Sequence, residues 1–160
     1  MPENLIFTRR EIAFLRELGR NGVDFMVVGL ASATLQGAPA VTQDIDLWFR
    51  DLSDPGIGKA LDKVGGIYVP PIGGNPPMFA GQNVDLFDIV LRLDGIGPFR
   101  AEARDAIEVS LGSAKVMLLP LERIIASKKA ANRPKDRASL PMLESALIAI
   151  RERRAKQQKP

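Results

Sequence analysis

The sequence predicts an α/β (α+β) fold in which helices pack on a mixed β-sheet. Short β-branched apolar runs alternate along the chain with segments whose apolar residues have helical spacing. Apolar residues make up 46% of the 160 positions, which is enough for an ordinary globular core. The predicted order is α-β-α-β-α-β, then a β-hairpin and a C-terminal pair of helices, and this order is typical of a sheet covered by helices.

Each predicted element rests on a local signal. A capping box from Thr8 to Glu11 begins the first helix, and glycines at 19 and 22 end it. The pair Asp54-Pro55 begins a later helix, and Gly112-Ser113 turns the hairpin. Strands are predicted at 24–28, 44–49 and 83–93, with the hairpin at 107–119. The other helices are predicted at 30–35, 55–64, 98–106, 120–131 and 139–154.

The segment 65–82 holds five glycines and four prolines, which predicts a long loop. Such a loop either lines a substrate channel or has no fixed structure, and the sequence leaves both open. The charged segment 133–137 is predicted to connect the last two helices. We expect one domain, with a core at 1–119 and a C-terminal helical segment at 120–160 packed on it.

The composition excludes several kinds of active site. The chain has no cysteine and no histidine, so thiolate catalysis, a Ser-His-Asp triad and a zinc–cysteine site are excluded. Residues 121–160 hold 11 Lys/Arg against 4 Asp/Glu, whereas residues 1–120 hold 11 against 15. An acidic body with a basic end suits a protein that binds a metal ion and a polyanion, and the cluster from Arg151 to Lys159 could contact RNA phosphates.

The most informative segment runs from Val28-Gly29 to Asp44-Ile45-Asp46. Since alternate residues of a strand share a face, Asp44 and Asp46 would project together while Ile45 turns into the core. Two adjacent carboxylates repel each other unless a cation lies between them, and Mg²⁺ prefers oxygen ligands together with substrate phosphates. Phosphate chemistry is therefore the first hypothesis. An exposed edge strand and a simple tight turn at Gly29 are the alternatives.

A third carboxylate is available in the segment Val84-Asp85-Leu86-Phe87-Asp88. Its two aspartates are three positions apart, so on a strand they face opposite sides and only one can join the first pair. Asp85 repeats the apolar-Asp-apolar pattern of that pair, so we expect Asp85 in the site, with Asp88 as the alternative. Three carboxylates around one or two Mg²⁺ ions would activate a hydroxyl and neutralise charge at a transferring phosphorus.

Taken in order, the glycine, the D-x-D strand and the later single-carboxylate strand resemble the nucleotidyltransferase superfamily, which has the polymerase-beta-like fold. The segments Phe25-Met-Val-Val-Gly-Leu-Ala31 and Thr42-Gln-Asp-Ile-Asp-Leu47 are similar to small bacterial members, some of which act in toxin–antitoxin and abortive-infection systems. The resemblance covers roughly residues 20–145. It implies a nucleotidyltransferase-like mixed sheet with two Mg²⁺ ions held by the aspartates of both strands.

The resemblance extends to a downstream helical segment and assigns roles to it. Lys128, Arg133 and Lys135-Asp136 are similar to the "K-x-x-x-x-R-x-K-D" pattern of the same branch, which closes over the nucleotide or the acceptor. By this resemblance Lys128 and Arg133 neutralise the triphosphate, while Gly29 and Ser32 face it. Lys135 and Asp136 could also simply pair with each other.

The resemblance implies a Mg²⁺-dependent nucleotidyltransferase that moves a nucleoside monophosphate from an NTP to a hydroxyl of a protein, an RNA or a small molecule. Asp44 and Asp46 would hold the metal ions, and Asp85 would bind the second ion and orient or deprotonate the acceptor. The family usually has a small residue where Leu30 stands. A catalytically inactive binding protein of the same fold, such as an antitoxin with a toxin partner, is therefore the alternative. We expect a cytoplasmic protein without a membrane span.

Overall fold

Five strands form one mixed sheet in the part of the chain that the computed structural model describes, residues 6–158. The strands are β1 (Phe25–Val28), β2 (Ile45–Phe49), β3 (Ile67–Val69), β4 (Met78–Ala80), β5 (Phe87–Val90), β6 (Ile107–Leu111) and β7 (Ala114–Leu118). The helices are α1 (Arg9–Arg20), α2 (Gly29–Leu35), α3 (Pro55–Val64), α4 (Phe99–Glu102), α5 (Leu121–Ala131) and α6 (Pro134–Gln157), and a 3-10 turn follows α4 at Ala103–Asp105.

The main sheet has the strand order β5-β2-β1-β7-β6, and β3 pairs with β4 in a separate hairpin. Strand β1 lies in the middle, antiparallel to β2 and parallel to β7, while β2 is parallel to β5. The antiparallel register places Val28, the last residue of β1, opposite Asp46 of β2. The end of β1 and the acidic start of β2 therefore meet at one end of the sheet.

Each face of the sheet has its own apolar cluster, because successive residues of β1 point to opposite sides. Val27 packs in the cluster that contains the apolar face of α1, including the fully buried Phe14. Met26 and Val28 pack in the other cluster, with Leu143 of α6 and residues of α5. Helices α5 and α6 are thereby fixed against the face of the sheet from which Asp46 projects.

The hairpin β3–β4 is held to the body by stacked aromatic rings. The ring of Phe14 on α1 lies 5.5 Å from the ring of Phe79 on β4 and 5.1 Å from that of Phe87 on β5, both edge to face. The prediction of a loop without strands at 65–82 is therefore wrong. Glycine and proline punctuate this segment, and its two three-residue strands are too short to show a period in the sequence.

The predicted fold class is confirmed, and the capping box at Thr8 is present, with the Thr8 amide donating to Glu11 at 3.0 Å. The two largest differences from the predicted bounds are at the starts of β5 and α6. Strand β5 is shorter than the predicted 83–93, since residues 82–86 form turns ahead of it. Helix α6 begins at Pro134 rather than at 139, because proline suits the first helical position and Asp136 caps the helix end.

Helices α5 and α6 form the predicted C-terminal helical pair. The division into a core at 1–119 and a segment at 120–160 stays a prediction. No helix within residues 6–158 combines the length and the apolar character needed to cross a membrane.

Candidate active site

The side chain of Asp46 lies in the space beside Gly29 that a Cβ would fill. Gly29 joins β1 to α2 with a φ of +65°, a backbone conformation that residues with a Cβ rarely adopt. A Cβ at this position would also overlap with Oδ2 of Asp46. Glycine is thus required twice, once by the backbone and once by the carboxylate that lies against it.

Asp88 is the residue that the structure places directly beside Asp46. The two lie opposite each other in the parallel register of β2 and β5, so their side chains share one face of the sheet. Asp44 precedes β2 and is exposed, and its charge acts on both of these carboxylates. The predicted pair Asp44 and Asp46 is therefore brought together with a third acidic group.

Asp85 was expected to be that third group, with Asp88 as the alternative. Asp85 lies instead in the turn before β5, and it is exposed. The expectation rested on a strand that already included residue 85, whereas the observed strand begins at Phe87. Its parallel pairing with β2 is what selects Asp88.

Burial and mutual repulsion favour the protonated forms of the Asp46 and Asp88 carboxylates. Burial, together with the charges of Asp88 and Asp44, raises the pKa of Asp46 to about 6, against the opposing effects of Lys128 and Lys135. The pKa of Asp88 is also raised, first by burial and then by Asp44. The oxygen ligands that these carboxylates offer are those that a hard divalent ion prefers.

No three acidic side chains among the described residues are close enough together to hold one metal ion by themselves. Two carboxylates are nevertheless sufficient for Mg²⁺, which usually keeps water and substrate phosphates as its other ligands. Asp46 and Asp88 are the pair that fits this requirement.

The cations of the site come from the junction of α5 and α6. Lys128 and Arg133 both line a cavity of about 300 Å³ that also contains Gly29, Asp46 and Asp88. Lys135 lines the same cavity, and its charge acts on both carboxylates. The predicted residues Gly29, Asp46, Lys128 and Arg133 are thus brought together.

Asp136 fixes two of these cations. Its carboxylate is completely buried and accepts from Arg133 Nε at 2.7 Å, from the Arg133 amide at 3.1 Å and from Lys128 Nζ at 3.3 Å. Burial would raise the pKa of Asp136, but the bonds from Arg133 and Lys128 hold it at about 2. The simple pairing of Asp136 with Lys135 that the sequence allowed is not what the structure shows.

Ser32 was expected to face the phosphates, and its contacts are different. It is completely buried, and its hydroxyl donates to the carbonyl of Leu119 at 2.9 Å and accepts from Gln36 Nε2 at 3.0 Å. Ser32 is not among the residues that line the cavity. It therefore ties α2 to the end of β7, and no phosphate role is assigned to it.

Lys135 was not among the predicted site residues, and the signal that could have found it was its place in the K-x-x-x-x-R-x-K-D pattern of the downstream segment. Two further charged residues of the cavity, Arg92 and Asp94, follow β5 in a segment that has no sequence motif. Only the three-dimensional course of the chain after β5 reveals them.

A comparison with solved structures identifies the fold. The chain is similar to the aminoglycoside nucleotidyltransferase in the crystal structure of ANT(2")-Ia in complex with adenylyl-2"-tobramycin, with a TM-score of 0.53 and 16% sequence identity. The match covers 88% of this chain and 94% of that chain. The chain has a nucleotidyltransferase-like fold. No protein-family model and no curated protein matches it.

Replacing Gly29 tests the close approach at the site. We expect Gly29→Ala to lower the free energy of unfolding by about 2 to 4 kcal/mol. The backbone of the alanine would have to adopt a left-handed conformation, and its methyl group would overlap with the carboxylate of Asp46. Gly58→Ala is the matched control, since a Cβ there meets nothing within 4 Å in the middle of α3, and a gain of about 0.5 to 1 kcal/mol is expected. Urea unfolding measures both. Equal effects of the two substitutions would contradict the account.

The raised pKa of Asp46 makes the stability depend on pH. In metal-free buffer the folded protein holds a proton on Asp46 up to about pH 6, whereas the unfolded chain releases it near the ordinary 3.8. The free energy of unfolding therefore falls as the pH rises from about 4 to 6, and the loss persists at higher pH.

We expect Asp46→Asn to remove this dependence and to be more stable than the wild type at pH 8 by about 2 to 3 kcal/mol. Asp62→Asn, on an exposed part of α3, is the control and should follow the wild-type curve. Urea unfolding at pH 4, 6 and 8 measures the difference. An Asp46→Asn curve parallel to that of the wild type would refute the assignment.

The buried ion pairs of Asp136 are expected to matter for stability more than an exposed pair. Asp136→Asn removes the negative charge between Lys128 and Arg133 and leaves one acceptor oxygen in place of two, so we expect a loss of about 2 to 4 kcal/mol. Glu144→Gln breaks the exposed pair with Lys129 (3.0 Å) and should cost less than about 1 kcal/mol. Thermal and urea unfolding compare the two. A loss in Asp136→Asn no larger than in Glu144→Gln would show that the buried cluster is unimportant.

Proposed function

We propose that the protein is a divalent-metal-dependent nucleotidyltransferase, which transfers a nucleoside monophosphate from an NTP to a hydroxyl group. The observation that carries this proposal is the pairing of Asp46 with Asp88 in register, in the lining of a cavity to which the junction of α5 and α6 contributes Lys128, Arg133 and Lys135. Carboxylates and cations in the lining of one cavity suit a ligand made of a metal ion and a polyphosphate. The nucleotidyltransferase-like fold supports the same function.

Asp46 and Asp88 would hold the divalent ion, with Asp44 adding negative charge at the entrance. The bound ion would neutralise charge on the phosphates. A cation between these carboxylates would also offset the repulsion and burial that raise the pKa of Asp46. The number of ions stays open, and the two predicted from the resemblance remain a prediction.

Asp88 is the residue we assign as the acceptor of the hydroxyl proton. Its place in register beside Asp46 sets a carboxylate next to the proposed ion and phosphates, where the reacting hydroxyl would lie. As the acceptor oxygen bonds to the α-phosphorus, the bond from that phosphorus to the bridging oxygen breaks, and pyrophosphate leaves with the electron pair. The proton of the hydroxyl passes to Asp88.

The three cations of the cavity would bind the phosphates of the nucleotide. Lys128 and Arg133 are already oriented by Asp136, so little conformational entropy would be lost when they bind an anion. Lys135 is exposed and has no partner among the described residues other than the carboxylate charges that it faces. Gly29 also lines the cavity, but the carboxylate of Asp46 lies against its Cα, so no phosphate contact is assigned there.

The acceptor is a hydroxyl of a small molecule, an RNA or a protein. The similar solved structure is a complex with an adenylylated small molecule, adenylyl-2"-tobramycin, and this favours a small-molecule acceptor. A role with a toxin or antitoxin partner stays a prediction from the sequence resemblance alone.

The proposal is tested first by binding and then by transfer. An NTP with Mg²⁺ at about 100 times its dissociation constant stabilises a native protein by about 2.7 kcal/mol, and for a chain of this size we expect the melting temperature to rise by at least about 5 °C. Transfer is followed as the release of pyrophosphate and the labelling of acceptors by α-labelled NTP. We expect Asp46→Asn and Asp88→Asn each to lower the transfer rate at least about 100-fold.

Asp85→Asn is the matched control, because Asp85 is an exposed carboxylate only three positions from Asp88. It should retain transfer within about threefold of the wild type. Loss in Asp85→Asn with full activity in Asp88→Asn would restore the original assignment of the third carboxylate. If no NTP raises the melting temperature with Mg²⁺ and no label is transferred, the enzyme proposal fails and the inactive binding protein is the better description.

A further inference from the structure

A second cavity of about 380 Å³ lies at the other end of β1 from the candidate active site. Its lining includes Phe25 and Met26 from the start of β1, Arg50 from the end of β2 and residues of the segment 98–106. None of its lining residues belongs to the cavity around Asp46. The two cavities are therefore separate, with β1 running from one to the other.

The interior of this second cavity is mainly apolar and well supported. Phe25 and Met26 are buried in the two core clusters, so these walls are fixed by the sheet itself. Phe99 lies edge to face against Trp48, with ring centroids 5.4 Å apart, and this contact fixes α4 at the opposite wall. Met117 of β7 contributes a flexible apolar side chain.

The charged residues of this cavity are nearly all cations. Arg50, Arg100 and Arg104 line it, and Asp24 is the one acidic residue in the lining. Asp24 is already engaged, since its carboxylate lies 3.3 Å from a guanidinium nitrogen of Arg50. Within residues 6–158, the guanidinium groups of Arg100 and Arg104 have no hydrogen-bond or ion-pair partner.

Acidic residues of the same segment are directed elsewhere, so they do not neutralise these arginines. Glu102 is buried and accepts from Arg123 Nε at 2.7 Å and from the Gly97 amide at 2.9 Å. The pKa of Arg123 is raised first by the hydrogen bond that it donates to Glu102, and the charge of Asp105 adds to this effect. The acidic residues of the segment thus interact with Arg123, whereas Arg100 and Arg104 line the cavity.

We propose that this cavity binds a small organic anion, an apolar ring or chain that carries one carboxylate, sulfonate or phosphate group. The apolar body would occupy the space between Met26, Phe99 and Met117, and the anionic group would lie against Arg100 and Arg104. Guanidinium groups pair well with such oxyanions. The volume falls within the range of small-molecule sites. The proposal is independent of the proposed nucleotidyl transfer.

Anilinonaphthalene sulfonate is a suitable probe, because it joins an aromatic body to one sulfonate. We expect it to bind the folded wild-type protein, measured by fluorescence, and to shift the methyl signal of Met117 in NMR spectra while leaving that of Met142 on α6 unchanged. N-phenylnaphthylamine, which lacks the sulfonate, and inorganic sulfate, which lacks the apolar body, should each bind at least about tenfold more weakly.

The double variant Arg100→Gln/Arg104→Gln should weaken binding of the probe at least about tenfold. The matched control is Arg9→Gln/Arg154→Gln, which removes the same charge from two exposed arginines outside the cavity and should leave the affinity unchanged. Thermal unfolding checks that all variants are folded. Equal binding to both double variants, equal binding of the uncharged analogue, or a shift of Met142 instead of Met117 would each overturn the proposal.

Discussion

The contact between Gly29 and the carboxylate of Asp46 is the constraint on which the rest of the site depends. It follows from the antiparallel pairing of β1 with β2, which places Val28 opposite Asp46 and leaves the next residue to turn into α2. A side chain at position 29 would push the carboxylate away from its place. The register of β2 with β5 then sets Asp88 beside Asp46. The positions of both aspartates therefore follow from two successive strand pairings, β1 with β2 and β2 with β5.

The cations of the cavity are positioned in a different way. Lys128 and Arg133 come from two helices that meet at Asn132, which has a left-handed backbone with a φ of +50°. Cations on such a helix junction would ordinarily be mobile in solvent. Here the buried carboxylate of Asp136 binds both of them, and it also caps α6. The Asp136 side chain thus stabilises the start of α6 and also holds the two cations of the cavity in place.

How much of this could be predicted from the sequence differs from residue to residue. Gly29 and Asp46 could be predicted, because a strand that ends in glycine and an alternating acidic strand are local patterns. The positions of Asp88 and Ser32 could not be predicted, since that of Asp88 follows from where β5 begins and that of Ser32 from a hydrogen bond to Leu119, 87 positions away. The roles of Lys135 and Asp136 depended on where α6 begins, which the sequence placed five residues too late.

The energetics of Asp46 bear on the choice between an enzyme and an inactive binding protein. A partly buried carboxylate with two acidic neighbours lowers the stability of the empty protein above pH 6. Nothing in the fold requires this arrangement, because an apolar or amide side chain at position 46 could fill the same place. Leu30, where the sequence resemblance implies a small residue, packs against the cluster of Met26 and Val28. In the function that we propose, the phosphates would be bound by the cations of α5 and α6, and the acidic cluster would bind the cation, which agrees with the proposed enzyme better than with an inactive binding protein.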